Sequence, residues 1–230
     1  MGLRSGEIGS RLIRLEVDGQ SRLATLNLAP GVSVYGEKLV VVVEGKEYRI
    51  WDPFRSKLAA AILKGLKDIG LREGHSVLYL GASTGTTLSH VSDIVGERGV
   101  VFGVEFSARV ARELIERVVK HRRNVVPIVA DARHPRLYPS IYGKVDLVYC
   151  DIAQPDQTEI AVENCRIYLK SGGKLLLVVK CRSIDVAMEP TLVVKQEASK
   201  LKESGFKINQ VVELEPFDKD HALIYAEPQE

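Results

Sequence analysis

Apolar and polar positions change rhythm along the chain. Between residues 11 and 50 they alternate weakly in short stretches, as half-exposed strands do. Arg11–Val17 is one such stretch, and Asp18-Gly19 is a turn. Leu23–Leu28 follows, then a second turn at Ala29-Pro30-Gly31. Lys38–Val43 is apolar and β-branched, Glu44-Gly45-Lys46 turns, and Glu47–Trp51 closes the series. This predicts a small β-rich domain over residues 1–54, too small to be very stable alone and so packed on the rest of the chain. Asp52-Pro53 breaks the rhythm. Ser56 then caps a predicted helix with apolar positions Leu58, Ile62, Leu66 and Ile69, ended by Gly70. Lys57 lies one position off that stripe.

From His75 onward short apolar runs alternate with segments of helical period. Strands are predicted at 75–80, 100–104, 125–129, 145–150, 174–180, 206–213 and 221–226, and helices at 84–96, 107–123, 156–170 and 190–204. The helix from 107 is capped by Ser107, with Val110, Leu114 and Val118 as its buried stripe and Asn124 as its stop. Leu175–Val179 reads as buried on both faces, which parallel sheets require. Strands alternating with helices imply a doubly wound sheet. Only Glu215–Asp220 separates the last two strands, so they should pair antiparallel. The fold class is α/β: a Rossmann-like seven-stranded sheet of class I methyltransferase type over residues 55–230, by fold analogy.

The whole is organised around Val77–Thr87, an apolar strand running into a glycine-bearing turn and a helix start. Gly81 and Gly85 let the backbone turn sharply and approach a ligand. Ser83, Thr84, Thr86 and Thr87 add hydroxyls beside exposed helix N–H groups. In an open α/β sheet a nucleotide-like ligand sits at this corner. Both G-x-G-x-x-G and G-x-x-x-x-G-K-[ST] are absent, so the ligand is expected to be nucleoside-like without a diphosphate. S-adenosyl-L-methionine fits that description.

Composition narrows the setting. The 230 residues are 45% hydrophobic and 27% charged, ordinary for a globular protein, and no apolar run would span a membrane. Met1–Ser10 lacks the apolar core of a signal peptide, so a cytoplasmic location is expected. The 3 cysteines, Cys150, Cys165 and Cys181, form no C-x-x-C pair; buried reduced thiols are expected, and no metal site. A net charge of +2 is low for a protein that grips RNA alone, so RNA binding would need partners.

Chemistry-bearing residues gather at predicted strand ends. Glu105 ends the second strand of the sheet, where a carboxylate can accept both ribose hydroxyls of an adenosine. Phe106 beside it could pack on the adenine. Asp131 ends the third strand and could accept from the adenine amine; it could equally cap the next segment. Asp151 ends the fourth strand, beside the switch in strand order where ligands bind. Lys180 closes a very apolar strand next to it. A strand-end lysine can simply snorkel to water, but here its ammonium would meet Asp151. His221 opens the last strand and gains weight only from that company. Arg109, Arg112, Arg117, Lys120, Arg122 and Arg123 read as a solvated helix face with Glu113 and Glu116 interleaved. Arg133, His134 and Arg136 are the better RNA-contact candidates.

From about Trp51 to Tyr225 the chain resembles fibrillarin, the RNA 2′-O-methyltransferase of box C/D guide ribonucleoproteins. The matching runs are Lys57–Ile62, Tyr79–Thr87, Val91–Gly96, Val104–Ser107, Asp131–Pro135, Asp151–Gln157 and Asp220–Ala222. No glycine/arginine-rich tail is present, so the likeness is to the archaeal form. The resemblance implies a catalytic set of Lys57, Asp151, Lys180 and His221. It implies cofactor contacts at the Gly81-Ala82 corner, Thr86, Thr87, Glu105, Phe106, Asp131, Ala132, Asp151, Ile152, Ala153 and Gln154. It also implies a box C/D guide RNA, a target rRNA or tRNA, a Nop-family scaffold protein and a kink-turn-binding ribosomal-protein-like subunit. Cys181-Arg182 departs from the family pattern and should alter a wall of the site.

The expected chemistry is removal of a ribose 2′-hydroxyl proton opposite an electrophilic methyl. Alignment and a general base are what a protein adds. An amine becomes a base when burial and a second cation favour its neutral form. Lys180 is the expected base, with Lys57, Asp151 and His221 positioning it and the hydroxyl. Three rival readings remain open. A methyltransferase for small molecules or proteins would not need paired strand-end lysines. A non-catalytic cofactor-binding subunit of an RNA particle would survive loss of Lys57, Lys180 and His221. A nicotinamide oxidoreductase would need the missing diphosphate loop.

Overall fold

In a computed structural model the described residues are 6–9, 11–42, 45–138, 141 and 143–229. Val43 and Glu44, read as a strand end and turn, lie outside them, as do Met1–Ser5 and Ser10 of the N-terminal stretch.

The first sheet is antiparallel. It contains β1 (Gly6–Gly9), β2 (Leu12–Val17), β3 (Gln20–Leu26), β4 (Leu39–Val41) and β5 (Glu47–Ile50), in the order β1-β2-β3-β5-β4. Asp18 and Gly19 both take positive φ, 53° and 75°, giving the tight hairpin that joins β2 to β3. The sequence pattern did not indicate β1.

The second sheet contains β6 (Ser76–Leu80), β7 (Val100–Glu105), β8 (Val125–Val129), β9 (Val145–Cys150), β10 (Leu169–Lys180), β11 (Phe206–Glu213) and β12 (His221–Pro228). Their spatial order is β11-β12-β10-β9-β6-β7-β8. Strands β6 to β10 run parallel, and β12 lies antiparallel between β10 and β11. The order reverses between β6 and β9, which opens a crevice at their carboxyl ends. Core strands such as Leu175–Val179 are fully buried, as expected for a sheet covered on both faces.

Six α-helices accompany the described strands: α1 (Lys57–Leu63), α2 (Thr86–Val95), α3 (Ala108–Arg117), α4 (Gln157–Tyr168), α5 (Cys181–Ile184) and α6 (Pro190–Glu203). Two depart from the sequence reading. Helix α1 stops at Leu63, half its expected length, because Gly65 takes a left-handed φ of 95° and turns the chain. Leu66 and Ile69 still reach the core from the irregular segment beyond it. Helix α3 ends at Arg117, and one 3-10 turn follows at Val119–His121. Asn124 is therefore no helix stop; its buried amide donates to the carbonyls of Ser92 and Gly96. The caps at Ser56 and Ser107 form as expected, accepting from Ala59 N and Val110 N. Among the described residues no helix is long and apolar enough to cross a membrane.

Candidate active site

The corner after β6 is built by two glycines. Gly81 has φ 82°, and a Cβ there would lie 2.6 Å from the Asp151 carbonyl oxygen. Gly85 has φ 91°, and a Cβ would meet Leu114 and Val118 at 2.7 and 2.5 Å. So β6 can close on the end of β9, and α2 can start tight against α3, only without side chains there. Ser83, between them, takes φ 51° and donates its N–H to Glu105 Oε2 at 2.9 Å. Glu105 Oε1 accepts from Ser107 N at 2.9 Å. Two backbone donors thus hold the carboxylate in place, and each oxygen keeps lone-pair capacity for a ligand.

A cavity of about 310 Å³ opens here, within the range of small-molecule sites. Gly81, Glu105, Phe106, Asp131, Ala132, Asp151, Ile152, Ala153 and Gln154 line it, nine of the residues named for a cofactor. Ala82, Thr86 and Thr87 lie outside its lining. Ala82 is buried, and the Thr87 hydroxyl is turned away to donate to Ser56 Oγ at 2.9 Å. Val104, Ala130 and Ile160 add apolar wall that the sequence did not single out. Phe106 is 75% exposed at the edge, an unusual position for a phenyl ring without a ligand or partner. An apolar slot with fixed carboxylates at its ends suits a nucleoside with hydroxyls and an amine to donate, and no cluster of cations suits a diphosphate. S-adenosyl-L-methionine fits the residues present.

Behind Asp151 the charged residues meet. Lys180 Nζ lies 2.8 Å from Asp151 Oδ1 and donates to the Asp151 carbonyl at 2.9 Å. The 2.8 Å approach is an ion pair off the hydrogen-bond direction. Lys57 Nζ lies 3.5 Å from the same carboxylate oxygen and 3.6 Å from Asp218 Oδ2. His221 Nδ1 lies 3.0 Å from Asp218 Oδ1 and 2.6 Å from the Lys219 carbonyl. The order is Lys180, Asp151, Lys57, Asp218, His221: an alternating chain of cation and anion. Lys180 and His221 are also direct partners across β10 and β12. The structure therefore brings together all four residues named from the sequence. It adds Asp218, which the sequence reading missed; its signal was an acid three residues before His221 in a short connector.

The electrostatics follow from this chain. Burial pushes the His221 imidazole down, but Asp218 and the Lys219 carbonyl outweigh it, and the net shift is upward. Burial pushes Asp218 up; His221 and Lys57 outweigh that, and it falls below the usual carboxylate range.

The basic candidates separate. His134 and Arg136 are exposed in the turn after Asp131. Arg133 is committed to protein partners: Asp156 at 2.7 and 2.9 Å, Gln154 Oε1 at 2.8 Å and Asp131 at 3.9 Å. On α3 and beyond, Arg117 and Lys120 pair with Glu113 and Glu116 as a solvated face should. Arg122 departs from that reading, being fully buried against Asp93 and Asn27.

A family model described as fibrillarin matches residues 11–230. The chain belongs to the fibrillarin family. A relative from Sulfurisphaera tokodaii, named fibrillarin-like rRNA/tRNA 2′-O-methyltransferase, is 56% identical over 91% of this chain and 89% of its own. An Aeropyrum pernix fibrillarin solved with natively bound S-adenosyl-L-methionine is 48% identical and superposes with a TM-score of 0.90 over 98% of both chains. A chain from a fibrillarin/Nop5p complex is 42% identical, with a TM-score of 0.82 over 97% of this chain and 100% of that one. The seven-stranded architecture is thus that of fibrillarins, a class I methyltransferase fold.

Proposed function

We propose that this fibrillarin-family chain is an S-adenosyl-L-methionine-dependent methyltransferase acting on ribose 2′-hydroxyls of rRNA and tRNA. The observation that carries the reading is Asp151, which lines the cavity on one side and holds Lys57 and Lys180 on the other. A ligand pocket and a proton-handling cluster thus share one residue. The names of its relatives point the same way.

When bound, S-adenosyl-L-methionine supplies a methyl group made electrophilic by its positive sulfur. Glu105 would take the ribose hydroxyls of that ligand, Asp131 its amine, and Phe106 the face of its ring. Ala132 and Ile152–Gln154 would wall the slot, and the Gly81 corner would admit the chain near the sulfur. On the RNA side, Lys180 in its neutral amine form accepts the proton of the target 2′-hydroxyl and becomes the ammonium that Asp151 holds. Lys57, Asp151 and His221 hold that hydroxyl and the base in line. Positioned base help of this kind is worth about 10²–10⁴-fold.

Targeting belongs to the same proposal. Box C/D guide RNA, target rRNA or tRNA, a Nop-family scaffold and a kink-turn-binding ribosomal-protein-like subunit complete the particle. The modest net charge of +2 supports the need for such partners. His134 and Arg136, exposed beside the cavity, are this chain's proposed RNA contacts. The small sheet (residues 1–54) and the catalytic part (55–230) are its proposed domains. Three free, buried cysteines fit a reducing cytoplasm.

The test is methylation of an RNA target by the wild type and by Lys180→Ala, with and without guide RNA and scaffold proteins. Methyl transfer should fall about 10²-fold or more, with cofactor affinity within a few-fold. Retained turnover removes Lys180 as base. Methylation unaffected by guide RNA removes the guided reading.

A further inference from the structure

Arg133 lines the cavity and links the segment after β8 to the segment before α4. Its guanidinium grips Asp156 with two parallel bonds, Nε to Oδ2 at 2.9 Å and one terminal nitrogen to Oδ1 at 2.7 Å. This fork geometry fixes the plane of the arginine as well as its position. The nitrogen that holds Asp156 Oδ1 also donates to Gln154 Oε1 at 2.8 Å. Arg133 N is itself held by Asp131 Oδ1 at 2.9 Å. One residue therefore touches both Asp131 and Gln154, two polar side chains of the cavity lining.

The chemistry of the donors decides which way the amide faces. A guanidinium has donors only, so the face of the Gln154 amide toward it must be the oxygen. With its oxygen taken by Arg133, Gln154 has its amide nitrogen left as the group to offer a ligand in the cavity it lines. Asp131 offers only acceptors. An acceptor beside a fixed donor matches the edge of adenine, where an exocyclic amine donates and a ring nitrogen accepts. A 6-oxopurine presents the reverse pattern. We propose that Arg133, locked by Asp156, is a positioning residue that orients the Gln154 amide so that Asp131 and Gln154 together select an adenine-bearing cofactor. This rests on the methyl-donor reading of the cavity.

The test measures binding of S-adenosylhomocysteine and S-inosylhomocysteine by calorimetry to the full chain and to Arg133→Ala, with thermal unfolding as the check on folding. In the variant the amide is free to rotate and present its oxygen. Affinity for the adenosyl compound should fall about tenfold, the inosyl compound should hold or gain, and the preference should shrink by about tenfold or more. In turnover the loss should appear in KM for the methyl donor, not in kcat. Gln154→Glu, which keeps the shape and removes the donor, should shrink the preference with the Arg133–Asp156 pair intact. Equal weakening of both compounds, or a preference unchanged within about twofold in Gln154→Glu, overturns the proposal. If the wild type binds neither compound, the cofactor reading itself has failed.

Discussion

The molecule holds two clusters of cations and carboxylates, one built on arginines and one on lysines, and they are built to opposite ends. One is the seam between the small sheet and α2. There Asp93 accepts from Arg49 at 2.7 Å, Thr25 Oγ1 at 2.9 Å, Leu28 N at 3.1 Å and Arg122 at 3.4 Å. Arg49 also pairs with Glu37 at 2.6 Å and donates to Ser89 at 2.8 Å. The side chains of Arg49, Asp93 and Arg122 have no exposure at all. His90 stacks on Trp51 at 4.7 Å and is pushed well below its usual range by burial and then by the two arginines, so it sits there neutral. Glu37 is lifted by burial but held at about 2 by Arg49 and the backbone N–H groups of Val34 and Tyr35. The other cluster is the rim at Asp151, a residue that lines the cavity and whose side chain is 13% exposed. The seam's carboxylate accepts from four donors, although Arg122 Nε and Nη1 beside it find no partner. The rim's has both lysines at one oxygen, Oδ1, which is buried and accepts no hydrogen bond. A carboxylate filled with donors is suited to holding a fold, and one that also lines a cavity is placed to meet a ligand.

The sharpest way to break this contrast is at the seam. Asp93→Ala leaves the buried Arg122 guanidinium without its carboxylate and Arg49 with Glu37 alone, and should cost about 3–5 kcal/mol of stability. Denaturant unfolding would read it. Below the unfolding midpoint, the methyl transfer rate per folded molecule should stay near the wild type. If Asp93→Ala unfolds no more easily than a surface substitution, the seam is not what joins the two sheets.

The complementary change is Asp151→Asn. Its ion pairs are partly solvated, so stability should move by only about 1 kcal/mol or less. Methyl transfer should instead fall by about 10²-fold, because both lysines lose their common anchor. Unfolding curves and single-turnover methylation on the same preparations decide it. A variant that unfolds like Asp93→Ala would erase the distinction between the clusters.

The contrast also explains what was legible in the sequence. Strand positions follow from local period, which tertiary packing did not override; the antiparallel finish follows from the short connector, and the reversal of order came by fold analogy. The rim was legible because Asp151 and Lys180 end very apolar strands, where a charge is conspicuous. The seam was not. Arg49 and Asp93 sit in segments of ordinary amphipathic texture, and Arg122 resembles its solvated neighbours on α3; their burial depends on a non-local meeting of β3, β5 and α2. Arg133 was read as a cation free for RNA for the same reason: nothing local announces Asp156, 23 residues away. Gly65 shows a local failure. Leu66 and Ile69 keep the helical spacing, and a left-handed glycine between them and Ile62 ends the helix without disturbing their burial.

The smallest expected effect lies at the far end of the rim, and its sign can be worked out. Asp218 raises the His221 pKa above its ordinary value of 6.5. A group raised on folding stabilises the fold fully below its unfolded pKa, and that contribution fades as pH rises through the folded value. His221 therefore favours the fold on the acid side of neutrality and releases it toward alkaline pH, the reverse of Glu37 in the seam, whose contribution is present above its ordinary 4.5 and lost as pH falls toward about 2. Asp218→Asn removes the opposing charge and leaves burial and Lys57 pushing the imidazole down against the Lys219 carbonyl alone. An NMR titration of His221 from about pH 5 to 9 should show the wild-type midpoint above 6.5 and the variant's below the wild type's. Methyl transfer near neutrality should fall by about tenfold, the scale of one charge-assisted hydrogen bond. Identical midpoints in the two proteins would mean that Asp218 does not govern His221, and the alternating chain would then end at Lys57.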